Sequence, residues 1–207
     1  MIRTLALASL LLALEAPFAF AQESPDALVK RVAEDTLATI RADKEIQAGN
    51  QARIRQVMEV KLVPNFDFPR MTALAMGRNW RAATPEQQKQ LTDEFRTLLV
   101  RTYSGALANY RDNTMEYKPL RMNPSDSEVV VRTEVKRAGQ AAVQIDYGME
   151  KTADGWKAYD VIVAGVSLVT TYRDEFNDTV KSSGIDGLIK TLESKNRGPA
   201  PAPPAAK

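Results

Sequence analysis

The sequence predicts an α+β fold in which helices pack on one face of a curved antiparallel sheet. Apolar residues recur at helical spacing through the first half of the chain, the period changes to two after Asn113, and helical spacing returns after Gly165. Short polar turns join the successive strands, which is typical of a meander. A curved sheet covered by helices often encloses a cone-shaped space, and the pattern leaves open whether side chains fill it.

The composition excludes much of hydrolytic and redox chemistry. The 207-residue chain has no His and no Cys, so it lacks the usual zinc and copper ligands, the Ser-His-Asp triad and a thiolate nucleophile. Its 28 basic and 26 acidic residues nearly balance, which gives no indication of a nucleic-acid partner. With 44% hydrophobic residues, the chain has enough apolar surface to fold.

Both ends of the chain are predicted to lie outside the folded domain. A positive charge at Arg3, an apolar run over 5–14 and small residues before the cleavage point predict a signal peptide over residues 1–21. The domain then spans residues 22–197, and the Pro/Ala-rich residues 198–207 are predicted to be a disordered tail. Export without Cys fits a bacterial periplasm, where disulfides are available but not compulsory.

Four helical segments are predicted before the sheet. Apolar spacing favours helices over residues 25–40 and 51–63 and a short apolar helical turn within 71–76. The clearest helix start is the string TPEQ at 84–87. Its threonine can cap, its proline suits the first helical position, and its glutamine sits where a capping-box partner belongs. That helix is predicted to run to about residue 110.

Four successive strands follow, over residues 115–121, 128–137, 141–151 and 155–163. In the second and third strands, apolar side chains occupy one face and mostly charged or polar side chains the other. One side of the sheet is therefore expected to be covered and the other to face solvent. After the sheet, a loop and helix over 166–182 is expected to stop at Gly184, and a short helix over 185–192 ends the domain.

Candidate catalytic groups are few. Asp146 beside Tyr147, and Asp160 beside Tyr159, are interpreted as solvent-facing acids next to core-facing tyrosines. Neighbours on a strand point to opposite faces, so neither pair converges on one substrate. The chain contains no glycine-rich phosphate loop and no carboxylate cluster typical of calcium sites. The sequence therefore predicts no catalytic residues, no metal and no cofactor.

Three arginines flank the short apolar segment that ends at Trp80. Arg70, Arg78 and Arg81 have two interpretations, and the sequence leaves both open. They are either the solvated side chains of a short interfacial helix or a cationic rim near a cavity mouth. Guanidinium groups in such a rim would suit an anionic ligand group.

Eight short strings follow one another in the order and at the spacing of one known family. They are NFDF (65–68), MTALAMGRNW (71–80), TPEQ (84–87), FRTLLVRTY (95–103), WKAYDV (156–161), GVSL (165–168), YRDEF (172–176) and GIDGLI (184–189). The chain thereby resembles the MlaC, or toluene-tolerance (Ttg), family of periplasmic phospholipid-binding proteins over roughly residues 25–195. Only the predicted signal peptide and tail fall outside the resemblance.

The resemblance implies a carrier that moves glycerophospholipids across the periplasm and maintains outer-membrane lipid asymmetry. It implies two partners, an outer-membrane lipoprotein–porin complex and an inner-membrane ABC transporter complex with its substrate-binding subunit. It also implies a fold like the nuclear-transport-factor cone, with acyl chains buried in an apolar cavity between sheet and helices and the headgroup outside. We expect a monomer that is not an enzyme, with bound phospholipid as cargo.

Eleven residues are predicted to line the lipid cavity. They are Met71, Leu74, Leu99, Tyr103, Val131, Val143, Ile145, Tyr147, Ile162, Val166 and Val169. Val161 and Val163 lie on the opposite face of their strand from Ile162, so the choice of face there stays open. Two other functions also stay open, a periplasmic adaptor with a filled core and a cavity enzyme of the same fold.

Overall fold

The computed structural model describes residues 22–108 and 113–200. The predicted signal peptide over residues 1–21 and most of the predicted tail lie outside the described residues. The predicted helix end near residue 110 also lies outside them. Within the described ranges, no helix is both long enough and apolar enough to cross a bilayer.

Helices and helical turns form the described part of the chain that precedes the sheet. They are α1 (Pro25–Ala42), α2 (Lys44–Gln47), α3 (Gln51–Val57), a π-helical turn (Met58–Leu62), a 3-10 turn (Val63–Asn65), α4 (Phe68–Met76), a second 3-10 turn (Gly77–Ala82) and α5 (Pro85–Ala108). The second predicted helix is therefore α-helical only in its first part, because its end widens into the π-helical turn. Such wide turns are frequent at functional sites.

Side-chain caps fix where several of these helices begin. The Thr84 hydroxyl accepts a hydrogen bond from the main-chain N of Gln87 at 3.2 Å, and the Gln87 amide oxygen accepts one from the N of Thr84 at 3.0 Å. This is the predicted capping box. Asp67 caps α4 in a similar way, because its carboxylate accepts a hydrogen bond from the N of Arg70 at 2.8 Å.

The sheet is an antiparallel meander whose strands follow chain order. They are β1 (Thr114–Tyr117), β2 (Glu128–Lys136), β3 (Val143–Thr152), β4 (Gly155–Val163) and β5 (Val166–Ser167). The predicted α+β fold class is confirmed, and so are the four predicted strands, although β1 ends at Tyr117 rather than near residue 121. The two-residue β5 was missed, because so short a strand carries no periodicity.

A β-bulge changes the register between β3 and β4. Gly148 pairs with Asp160, and the next residue of β3, Met149, pairs with Ala158, so Tyr159 is left opposite no partner. The ring of Tyr159 lies over Gly148, where an added Cβ would approach it to 3.2 Å. Tyr159 therefore covers the outer face of the sheet and does not face the core, contrary to the sequence interpretation.

The main hydrophobic core lies between α4, α5 and the helix that follows the sheet, α6 (Leu168–Arg197). Phe95 of α5 is at its centre, with its ring 5.0 Å from the rings of both Tyr172 and Phe176 in edge-to-face geometry. Edge-to-face contact places the positive ring edge against the negative face of a neighbour, which adds to the gain from burial. This core anchors the helical layer on one side of the molecule.

The outer face of the sheet is charged. The Lys118 and Lys136 ammonium groups lower the pKa of Glu116 to about 2 through hydrogen bonds to its carboxylate. Asp160 faces this side as well, and there it accepts hydrogen bonds from the Ser167 hydroxyl and the N of Val169 near the start of α6. Asp146, predicted to face solvent, does lie on this face but is only 7% exposed, and it accepts a 2.7 Å hydrogen bond from the Gln144 side chain.

α6 is broken where the sequence predicts a stop. Gly184 has φ 73° and ψ −179°, and helical geometry resumes beyond it. That region of backbone space is essentially restricted to glycine, because a Cβ collides with the neighbouring carbonyl there. The break lets the second part of α6 turn back, so that Leu188 and Leu192 join the main core.

Gly184→Ala is expected to lower the free energy of unfolding by about 1–3 kcal/mol, the cost of holding a non-glycine residue in this conformation. Nothing lies within 4 Å of the added Cβ, so the effect is one of backbone strain and not of collision. Urea denaturation measures it. The matched control is Gly105→Ala in α5, where substitution should be neutral or stabilising because helix propensity rises. Equal stability of Gly184→Ala and the parent would contradict the strained geometry.

Candidate functional site

A cavity of about 380 Å³ lies between the helices and the inner face of the sheet. This volume falls within the range of about 300–1,000 Å³ that small-molecule sites occupy. Its helical walls come from α1, the turns after α3, the start of α4 and the middle of α5. The lining residues on this side are Ala33, Thr36, Leu37, Met58, Leu62, Val63, Phe66, Phe68, Met71, Leu99, Val100 and Tyr103.

The sheet contributes one half of its inner face to the cavity. The lining residues on this side are Met115, Val135, Ile145, Tyr147, Val161 and Val163, with Asn113 before β1 and Leu168 at the start of α6. We call these six strand residues the open half of the sheet. The register places them in facing rows, since Met115 pairs with Val135, Ile145 with Val163 and Tyr147 with Val161.

The other half of the inner face is filled. Leu28 and Val29 of α1 pack there in a cluster with the buried strand residues Val131, Met149, Trp156 and Ala158. We call these four strand residues the filled half of the sheet. The N-terminal part of α1 covers this half, and the cavity lies toward the opposite end of the strands.

The β-bulge decides which β4 side chains face the cavity. Before the bulge, the even-numbered Trp156 and Ala158 point inward, and after it the odd-numbered Val161 and Val163 do. Ile162 pairs with Asp146 on the outer face. The unpaired residue Tyr159 therefore changes which alternate side chains of β4 face inward, as a bulge does.

The cavity walls offer almost only apolar surface. The Thr36 hydroxyl donates to the carbonyl of Val32 in its own helix at 2.7 Å, so it presents its methyl group instead. Burial, with a smaller contribution from Tyr172, raises the pKa of Tyr103, so this phenol stays neutral at physiological pH. A cavity of this kind favours hydrocarbon, and its described lining residues include no group that could act as a general base.

Five of the eleven residues predicted to line the cavity do lie in its wall, namely Met71, Leu99, Tyr103, Ile145 and Tyr147. Leu74 and Val169 pack in the main core instead, and Val131 belongs to the filled half. Val143 lies at the very start of β3 and Val166 in β5, and neither is among the lining residues. Ile162 faces outward because of the bulge. Lipid contact by the five lining residues stays a prediction.

Most lining residues that the sequence analysis missed are on helices. Leu37, Met58 and Leu62 lie in segments whose apolar faces the sequence revealed. An apolar stripe shows that a helix face is buried, but it does not show whether the opposing surface is a packed core or a cavity. Leu62 is difficult to predict for a second reason as well, because the π-helical turn rotates it away from ordinary helical spacing.

The three arginines near Trp80 do not form a rim of the cavity. Arg70 lies over the ring of Tyr159 at 4.0 Å and pairs with Glu128 at 2.7 Å and with Glu150. Arg78 and Arg81 are exposed in the 3-10 turn after α4, and neither is a lining residue. Of the two interpretations that the sequence left open, the structure favours arginines on the surface.

The fold and the cavity define a class, the α+β proteins that enclose a ligand-sized apolar space between an antiparallel sheet and its covering helices. In the described ranges, no group of three or more acidic residues is placed to hold a metal ion. A family model described as MlaC protein matches residues 30–194. The chain belongs to the MlaC protein family, and the resemblance seen in the sequence is confirmed.

Individual relatives agree with this assignment. The toluene tolerance protein ttg2D of Pseudomonas putida is 26% identical over 174 residues, which cover 84% of this chain and 80% of the relative. The intermembrane phospholipid transport system binding protein MlaC of Haemophilus influenzae is 22% identical, with 87% and 86% covered. A solved structure, the phospholipid-binding protein from Ralstonia solanacearum in complex with a phospholipid, has a TM-score of 0.79 and 44% identity, with 84% and 97% covered.

Proposed function

We propose that this protein is a periplasmic carrier of glycerophospholipids that shuttles them between the outer and inner membranes. The observation that carries the proposal is the apolar cavity between α1, α5 and the open half of the sheet. A neighbour with 44% identity and the same fold is described as being in complex with a phospholipid, which supports the same cargo here.

The physical task of such a carrier is to replace the bilayer around the acyl chains. Each methylene that leaves water is worth about 0.8 kcal/mol, so two chains of about thirty methylenes together represent about 25 kcal/mol. A cavity wall made of side chains such as Leu99, Ile145 and Val161 offsets that cost. The polar headgroup then stays near the cavity mouth, where water or polar side chains can solvate it.

Binding without catalysis is the activity we infer. The chain has no His and no Cys, and the described cavity wall contains no carboxylate. An adaptor with a filled core, the other alternative from the sequence, is disfavoured by the cavity itself.

The predicted signal peptide supports a periplasmic location. Because the chain belongs to the MlaC family, we propose that it passes lipid between an outer-membrane lipoprotein–porin complex and an inner-membrane ABC transporter complex. This transfer maintains the lipid asymmetry of the outer membrane. We also propose that the carrier is a monomer.

Native mass spectrometry tests the proposal. The full chain, expressed with residues 1–21 in a Gram-negative host and purified from the periplasmic fraction, is expected to carry a stoichiometric adduct with the mass of a phospholipid. Organic extraction identifies the lipid. The proposal is overturned if the protein is free of lipid and also fails to take lipid from vesicles of phosphatidylethanolamine and phosphatidylglycerol.

A further inference from the structure

Polar residues lie at the end of the open half of the sheet, next to the apolar wall of the cavity. Asn113 precedes β1 and lines the cavity, and it is only 7% exposed. Its side-chain oxygen Oδ1 is buried and has no hydrogen-bond partner in the described part of the chain. Leaving a buried amide oxygen unpaired costs free energy, so such an atom in a cavity wall is suited to accept a hydrogen bond from a ligand.

Two arginines lie near Asn113, one by a hydrogen bond to its main chain and the other by strand register. Arg41 at the end of α1 donates a hydrogen bond from Nη2 to the main-chain oxygen of Asn113 at 2.8 Å. Arg137 follows the last paired residue of β2, Lys136, which lies opposite Thr114. The register therefore places Arg137 opposite Asn113, one step beyond the end of the ladder. Arg137 is exposed, and none of the ion pairs among the described residues includes it.

We propose that Asn113, Arg41 and Arg137 form the subsite for the phosphate-bearing headgroup of the bound lipid. This inference rests on the proposed carrier function. Guanidinium groups recognise phosphate oxygens through charge-assisted hydrogen bonds. The amide of Asn113 meets headgroup atoms beyond the glycerol backbone, which dioleoylglycerol lacks, and it can serve as donor or acceptor by rotating. The acyl chains then extend from this end into the apolar space.

Lipid pairs that differ only in the headgroup test the subsite. We compare binding of dioleoyl phosphatidylglycerol with binding of dioleoylglycerol, which has the same acyl chains and no phosphate. The wild-type protein is expected to prefer the phospholipid. Arg137→Gln is expected to weaken phospholipid binding about fivefold and Asn113→Leu about tenfold, with dioleoylglycerol binding unchanged. Arg41 is left in place because it also holds the main chain of Asn113.

The thermal stability of the Asn113→Leu variant distinguishes a binding role of Asn113 from a structural one. Asn113→Leu removes an unpaired buried amide, so its melting temperature should equal or exceed that of the wild type while its phospholipid affinity falls. Arg78→Gln, an exposed arginine outside the cavity wall, is the matched control for Arg137→Gln and should bind both lipids normally.

The possible outcomes are distinct. Unchanged phospholipid binding in both variants, or equal weakening for both lipids, overturns the subsite and leaves the carrier function standing. A wild-type protein that binds neither lipid overturns the carrier function and the subsite with it. Inorganic phosphate in the millimolar range should not displace the phospholipid, and displacement that requires Arg137 would assign these residues to free phosphate instead.

Discussion

Val161→Trp is expected to abolish phospholipid binding without unfolding the protein. Val161 lies in the middle of the open half of the sheet, opposite Tyr147, and its side chain faces the cavity. An indole ring there occupies space that the acyl chains need, and the cavity is large enough to receive it with little repacking. The lipid adduct in native mass spectra should fall at least about tenfold, because filling the site removes most of the burial energy.

Ile162→Trp is the matched control for this substitution. It introduces the same side chain one residue further along β4, but on the outer face next to Asp146. We expect it to retain the lipid. Loss of lipid from both variants with intact melting curves would mean that the outer face takes part in binding. Retention of lipid by Val161→Trp would place the acyl chains elsewhere and contradict the assignment of this cavity.

These two neighbouring positions also show where sequence analysis reaches its limit. The period of two predicts β4 and its two faces, and it leaves Val161 and Ile162 as alternatives for the cavity-facing residue. What decides between them is Tyr159, the residue left unpaired in the bulge. A bulge is set by how the ladder and the neighbouring elements pack, here with Arg70 stacked on the Tyr159 ring. No local pattern in a single strand encodes that.

Elements with strong local signals were predicted well. The capping box at Thr84 and the glycine at 184 act through contacts within a few residues, so their positions follow from the sequence. The division of the inner face into a filled and an open half does not. That division depends on where α1 crosses the sheet, which is decided by packing between residues far apart in the sequence. The crossing places Leu28 against the filled half and leaves Leu37 beside the cavity.

Phe95→Ala is expected to lower the free energy of unfolding by about 4 kcal/mol, in the range measured for fully buried aromatic residues. Phe95 is completely buried, and its ring makes two edge-to-face contacts at 5.0 Å. Its loss leaves a cavity between α5 and α6 that the two remaining rings cannot close without leaving their own packing. Because a domain of this size has only about 5–15 kcal/mol in total, the variant should be close to the limit of stability. Urea denaturation of the lipid-free protein measures the change.

Val60→Ala is the control for Phe95→Ala, because Val60 is apolar but not buried. Val60 lies in the π-helical turn beside cavity-lining residues, yet its side chain is 64% exposed. Its replacement should change stability by no more than about 0.5 kcal/mol. A loss below about 2 kcal/mol for Phe95→Ala would show that the helices close around the vacated space. Since Leu99 belongs both to this core and to the cavity wall, such a collapse would also shift part of that wall, and lipid affinity would change together with stability.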